Sequence, residues 1–217
     1  MQSNKKITDK RRFSVVMKIT AIVIVMAILI GSTAIYAGYY LHSTTMNQYY
    51  KNQVVNISKT LSKYIPADYI EQLKEAASDP ELETVREEAI ASDNPDLVKD
   101  WMIQKGVYDD YEKVLSILED FRNNMGMTYV YVLNNQANYS TYLADPDEDM
   151  TIFGKREDNT AGFEQYTSNE EIPPTVSEGE YGWLCSGYEP IYSEDGKAIA
   201  LIGVDISMNE VVGQQMD

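Results

Sequence analysis

The chain of 217 residues has one cysteine and one histidine, and both scarcities exclude kinds of chemistry. Cys185 has no partner for an internal disulfide. We expect its thiol to be buried in a strand rather than reactive, because free cysteines are among the most buried residues. One cysteine and one histidine, His42 at the end of an apolar segment, give no plausible nucleophile–base pair. We therefore predict that the chain is not an enzyme, with a carboxylate-based hydrolase as a minor alternative.

Basic residues are also few, with 18 Lys and Arg against 34 Asp and Glu. Several of them precede residue 19, where they face the single acid Asp9: Lys5, Lys6, Lys10, Arg11, Arg12 and Lys18. The rest of the chain is strongly acidic. Nucleic acids and anionic lipid surfaces are bound by clustered Lys and Arg, so we exclude nucleic acid as a partner of this acidic part.

No charged residue occurs from Ile19 to Leu41. A helix of that length, rising 1.5 Å per residue, covers the hydrocarbon core of a bilayer, which is roughly 30 Å thick. The distribution of positive charge predicts a cytoplasmic basic N-terminus at residues 1–18 and a transmembrane helix at residues 19–41. Everything that follows is then expected outside the cell membrane.

A cleaved signal peptide is the alternative interpretation of this segment. Ser32, Thr33 and Ala34 are small residues that could form a processing site. The apolar character continues beyond them to Leu41, however, and tyrosines occur where an interfacial aromatic belt is expected. We favour an uncleaved anchor.

Helical periodicity dominates the next part of the sequence. A long stalk helix is predicted at residues 43–65, ending before Pro66, from an apolar stripe: Met46, Tyr50, Val54, Ile57, Leu61 and Ile65. Shorter helices are predicted over residues 68–77, 81–91, 95–104 and 107–125. Gly106 and Gly126 are the stop signals of the last two.

Strand patterns follow the helices. Residues 127–133 and 139–143 are rich in β-branched and aromatic side chains, and residues 145–179 are predicted to be loops with at most short helices. Residues 182–192 and 197–207 are predicted to form an antiparallel hairpin around the turn Ser193-Glu194-Asp195-Gly196. The fold class predicted is α+β, with the transmembrane helix continuing into the stalk helix and a central antiparallel sheet after it.

The hairpin contains Gly-Trp, Tyr-Glu-Pro-Ile, Asp-Gly-Lys and Gly-Val-Asp-Ile in that order. With the helix and strand at residues 111–133, it resembles the extracytoplasmic Cache sensor domains, which are PAS-like domains of bacterial transmembrane receptors. The resemblance covers about residues 44–212. It implies a PAS-like sensor domain at residues 42–212, without a cofactor, that binds a small molecule of the amino acid, carboxylate or amine type.

Members of that family normally return through a second membrane helix to an output module. Residues 213–217 would begin the returning segment, and the module for chemotaxis, histidine kinase or cyclic-dinucleotide signalling is absent from this chain. We expect either a fragment of a receptor or a sensor that signals through a partner.

Strand alternation selects candidate ligand contacts on the pocket face of the sheet. It selects Tyr129, Tyr131, Ser186 and Tyr188, and three further candidates are Trp183 at the strand entry, Asp145 at the pocket rim after the second strand, and Asp205 in the last strand. Val130 and Val132 take the opposite face of the first strand, which is expected to pack on the long helix. A tyrosine or tryptophan in a strand can equally be a core residue. Asp205, in an apolar strand, either captures a ligand ammonium or caps a neighbouring loop.

Asp145, Asp147 and Asp149 have the spacing that begins a calcium-binding loop. The pattern then fails, because Met150 stands where glycine makes the turn and Arg156 where a bidentate glutamate is needed. No metal site is predicted from this motif.

Two expectations concern partners. Met46 and Tyr50 lie too close to the membrane to reach the domain core, so we assign them to the seam of a homodimer. The alternative to a ligand sensor is a tethered scaffold or protein-interaction ectodomain that binds no small molecule.

Overall fold

The computed structural model describes residues 15–159, 163, 165–179 and 181–209. Most of the predicted cytoplasmic segment and the predicted returning segment, residues 213–217, lie outside the described residues. The chain divides into two compact units, and the boundary falls between Met46 and Asn47.

Helix α1 (Val15–Tyr64) supplies all of the described part of the first unit. The apolar side chains between residues 19 and 41 are exposed. Among the described residues, α1 is the one helix that is long and apolar enough to cross a membrane. Length and composition support this statement, and an anchor and a signal sequence share both properties.

The second unit begins with the rest of α1 and a group of four helices. These are α2 (Ala67–Ala77), α3 (Pro80–Ser92), α4 (Asp96–Lys105) and α5 (Tyr108–Met125). Their bounds agree with the sequence-based prediction to within two residues. Gly106 and Gly126 end α4 and α5 with φ values of 76° and 64°, a left-handed conformation that favours glycine.

A six-stranded sheet follows, and all of its pairs are antiparallel. Its strands are β1 (Tyr129–Asn135), β2 (Tyr139–Ala144), β3 (Arg156–Asp158), β4 (Ile172–Gly179), β5 (Gly182–Tyr192) and β6 (Ala198–Ser207). The spatial order is β3-β2-β1-β6-β5-β4. The α+β, PAS-like fold class and the β5–β6 hairpin are confirmed.

Two strands were not predicted, and both lie at the edges of the sheet. The prediction of loops with at most short helices over residues 145–179 is wrong for β3 and β4 and right for one short 3₁₀ helix, Met150–Ile152. The sequence of β3 is entirely charged. In β4, Pro173 and Pro174 cannot donate ladder hydrogen bonds, which an edge strand tolerates on its free side. The pairing of β4 with β5 is irregular between Ile172 and Thr175.

Helix α1 lies against the sheet at β5. A Cβ atom placed on Gly187 would be 2.8 Å from Cγ2 of Val54, so glycine is what permits this approach. The helix lies on one face of the sheet, as predicted, and this contact is with β5. Cys185, two residues away, is buried as expected, and burial raises the pKa of its thiol to about 11. Val130 and Val132, on the other face of β1, are buried as well.

Candidate functional site

A cavity of about 400 Å³ lies on the face of the sheet opposite α1, and all six strands contribute to its lining. This volume falls within the range of small-molecule sites. Of the seven predicted contacts, Tyr131, Ser186, Tyr188 and Asp205 line the cavity. Strand register explains the grouping, because Asp205 pairs with Ser186, and Gly203 pairs with both Tyr131 and Tyr188.

The other three predicted contacts are not among the lining residues. The ring of Tyr129 packs edge-on against Tyr181, which does line the cavity, with centroids 6.5 Å apart. Trp183 alternates with the lining residues Gly182 and Leu184 along β5 and so takes the other face.

Asp145 is buried at the end of β2 and accepts a hydrogen bond of 2.9 Å from the backbone N–H of Asp147. Asp147 forms an ion pair with Arg122, and Asp149 accepts a hydrogen bond of 2.8 Å from the N–H of Thr151. The three carboxylates of the calcium-like motif thus each have a partner within the chain.

Tyr131 lies across β6 because residue 203 is glycine. A Cβ atom on Gly203 would be 2.1 Å from Cε2 of the Tyr131 ring. The hydroxyl of Tyr131 is 3.3 Å from that of Tyr188, and either can donate. Burial raises the pKa of both tyrosines, which therefore present neutral hydroxyls to the cavity.

Asp205 is 4% exposed and lies on β6, near the middle of the sheet. Its Oδ1 is buried and has no hydrogen-bond partner among the residues that the structure describes. Burial raises the pKa of this carboxyl to about 6, although hydrogen bonds from Ser186 and Tyr131 act to lower it and the charge of Asp145 adds to the increase. A buried carboxylate with an unused acceptor is costly until a donor reaches it.

The two edges of the sheet approach each other at the rim of the cavity. Glu157 on β3 accepts a hydrogen bond of 2.9 Å from the Tyr142 hydroxyl and one of 3.4 Å from Tyr181, which lies in the turn between β4 and β5. Glu157 was not predicted from the sequence, because it belongs to a strand that has no periodic pattern of apolar residues.

A cluster of asparagines fixes the segment beside the cavity. Asn135 Nδ2 donates 2.9 Å hydrogen bonds to the carbonyls of Tyr166 and Ser168, and its Oδ1 accepts from Ser140. Asn169 Nδ2 donates to Oδ1 of Asn134 at 3.0 Å. The strand predicted from the sequence ended at residue 133, so Asn134 and Asn135 were not predicted to take part in the site, although a polar pair at a buried strand end is a usable signal.

The aromatic part of the lining extends beyond the predicted tyrosines. The ring centroid of Phe163 is 5.1 Å from that of Tyr188, and the ring of Tyr142 is 6.1 Å from that of Tyr131. The cavity thus combines aromatic walls with carboxylates and hydroxyls.

No family model matches the chain, and no curated protein matches it. Solved structures do match. The sensor domain of Escherichia coli DcuS is 15% identical, with a TM-score of 0.38, and the match covers 73% of this chain and 99% of that one.

The ligand-binding domain of the Campylobacter jejuni chemoreceptor Tlp3 matches in its complexes with 4-methylisoleucine and with L-valine. Both are 16% identical, with TM-scores of 0.30 and 0.29. The matches cover 71% and 77% of this chain, and only 61% and 63% of the Tlp3 chains. TM-scores in this range establish no shared ligand or output. Each of these structures is, by its name, a sensor domain or a ligand-binding domain.

Proposed function

We propose that this chain is the extracytoplasmic, small-molecule-sensing part of a membrane-bound signal-transduction receptor. Residues 19–41 anchor it, with the N-terminus in the cytoplasm and the second unit outside. The output module, of the chemotaxis, histidine kinase or cyclic-dinucleotide type, belongs to another part of the receptor or to a partner. The domain itself carries out no catalysis.

The observation that supports this proposal most strongly is the unused Oδ1 of Asp205 inside a cavity. A buried polar atom without a partner destabilises the domain by about 1–3 kcal/mol, and a ligand that donates a hydrogen bond to it recovers that energy. Tyr131, Ser186 and Tyr188 surround the same carboxylate with hydroxyls that can orient a ligand. Asp205 is thus proposed to bind a ligand ammonium.

A thermal-shift screen tests the sensing function. The detergent-solubilised chain is heated with amino acids, organic acids and amines, and unfolding is followed by the fluorescence of Trp101 and Trp183, which both lie in the second unit. A ligand present at 100 times its dissociation constant adds about 2.7 kcal/mol of stability. A complete screen without any stabilising compound would favour the alternative, a tethered scaffold or interaction ectodomain.

The membrane topology leads to a separate prediction. In intact cells, a membrane-impermeant thiol reagent is expected to label a cysteine introduced at Ser168, whose side chain is exposed, but not one introduced at Ser3. The unaltered chain serves as the control, because its single thiol is buried. The reverse labelling pattern, or release of a soluble form that begins near residue 35, would contradict the anchor.

A homodimer is proposed along α1. Cysteines introduced at Met46 and Tyr50 are expected to form intermolecular disulfides efficiently, and the yield is expected to change when ligand binds, since a ligand shifts the balance between two arrangements of a seam. The matched controls are positions Gln48 and Asn52, which are exposed and hydrogen-bonded to each other at 3.0 Å. Equal yields at both pairs would exclude this seam.

A further inference from the structure

Basic side chains are missing from the cavity, and this limits the charge that a ligand can carry. The described lining includes the carboxylates of Glu157, Asp158, Glu178 and Asp205 and contains no Lys, Arg or His. The sequence itself has no basic residue from Glu157 through Gly196. Lys155 approaches the Tyr142 ring from 5.8 Å but is not in the lining. A cavity of this composition attracts cations and repels anions.

The carboxylates lie at two depths. Asp205 is almost completely buried, and its Oδ1 has no partner among the described residues. Glu157 is half-buried at the rim, where the hydroxyls of Tyr142 and Tyr181 hold it in place. Asp158 and Glu178 are exposed on the two edge strands. Within the described part of the chain, no three such side chains gather closely enough to hold one metal ion. The negative charge is distributed along the cavity rather than concentrated at a point.

Aromatic rings line the cavity between these two depths. Tyr131 and Tyr188 surround the buried end, and Tyr142 contacts Glu157 at the rim. The faces of such rings attract cations, and they also pack well against methylene chains. The lining is therefore suited to an apolar chain with a positive charge at each end.

We propose, resting on the sensing function above, that the ligand is an organic dication such as a diamine or polyamine. One ammonium binds Asp205 at the buried end, and a second binds Glu157 at the rim, with the connecting carbon chain along the tyrosines. A free amino acid or a dicarboxylate is a poor fit, because its carboxylate would be buried beside acids with no cation to pair it.

A series of ligands with one four-carbon backbone tests this proposal. Calorimetric titration of the full chain in an uncharged detergent compares putrescine, butylamine, gamma-aminobutyrate and succinate, with calcium chloride as a further arm. Putrescine is expected to bind about tenfold more tightly than butylamine, and gamma-aminobutyrate and succinate about a hundredfold more weakly than putrescine.

Two variants distinguish the contributions of the two carboxylates to amine binding. Glu157→Gln keeps an acceptor for the tyrosines and is expected to reduce putrescine affinity to that of butylamine while leaving butylamine affinity unchanged. Asp205→Asn is expected to weaken both amines. The control is Glu194→Gln, an equal change of charge in the exposed β5–β6 turn, which should alter neither.

Several outcomes would contradict the proposal that the ligand is a dication. These are tighter binding of succinate or gamma-aminobutyrate than of putrescine, calcium binding that depends on Glu157 and Asp205, or an equal effect of Glu157→Gln on both amines. If putrescine fails to bind, the dication proposal falls. The sensing function survives that result only where the wider thermal-shift screen still yields a ligand.

Discussion

Replacing Asp205 with asparagine is expected to stabilise the ligand-free domain at pH 8 and to weaken ligand binding. The pKa of Asp205, raised by burial from 3.8 to about 6, corresponds to about 3 kcal/mol between its two protonation states. Asparagine is neutral and of the same shape, so it removes the cost of ionisation while its oxygen can still accept from Ser186. We expect a gain of about 1–3 kcal/mol in the free energy of unfolding.

The sign of the pH dependence follows from the raised pKa. Between pH 4 and 6 the folded chain holds a proton on Asp205 that the unfolded chain has released, so this group destabilises the domain as the pH rises through that window. The advantage of Asp205→Asn should therefore be small near pH 4 and fully developed above pH 6. Urea unfolding followed by tryptophan fluorescence measures it, with Glu194→Gln as the control.

Ligand binding should show the opposite response to pH. Only ionised Asp205 pairs with an ammonium, so amine affinity is expected to increase as the pH rises through about 6. An Asp205→Asn chain that is less stable than the unaltered chain at pH 8, yet binds ligand as tightly, would contradict both the assigned burial cost and the role of this residue.

Replacing Gly203 with alanine is expected to displace the Tyr131 ring and disrupt the cavity. The added methyl would lie 2.1 Å from Cε2 and 2.5 Å from Cζ of that ring, so the ring must leave its place over β6. Overpacking of this kind typically destabilises a domain by about 1–3 kcal/mol. Urea unfolding provides the free energy, and calorimetric titration provides the loss of ligand affinity.

The matched control for this substitution is Gly179→Ala. A methyl there meets no atom within 4 Å, so stability should hardly change, and because Gly179 also lines the cavity it is a control for stability alone. Tyr131→Ala removes the obstructing ring, and the double variant with Gly203→Ala should therefore lose less stability than the sum of the single variants. Additive effects, or equal stability of the two glycine variants, would show that the ring does not depend on Gly203.

The parts of the fold that the sequence predicts are those with a hydrophobic period. The helices were predicted from apolar residues at helical spacing and from glycines at their ends, and the β5–β6 hairpin from two strand-like segments around a turn. Alternation along the strands was enough to place Tyr131, Ser186 and Tyr188 on the pocket face. The edge strands have no such period. β3 is charged and β4 begins at two prolines, so their pairing depends on neighbours that are distant in the sequence.

The same reasoning explains what was missed in the candidate site. Glu157 reaches the cavity only because the sheet brings β3 near the β4–β5 turn. A single charged residue in a polar segment does not indicate that these two segments will lie close together. Trp183 was selected as a residue at the strand entry and Asp145 as a residue at the pocket rim, but Trp183 alternates with the lining residues of β5 and Asp145 is buried at the end of β2. The long interval without basic residues can be seen in the sequence. Its consequence for the charge of a ligand follows only when the residues that line the cavity are known.

The composition of the two edge strands affects how neighbouring copies of the domain can associate. A domain held on a membrane, as proposed, meets its neighbours in two dimensions at high local density, where unpaired strand edges could join copies into fibrous sheets. Pro173 and Pro174 offer no N–H groups to an incoming strand, and the short, fully charged β3 presents a poor template on the other side. Both edges of the sheet therefore oppose strand-to-strand aggregation of neighbouring copies.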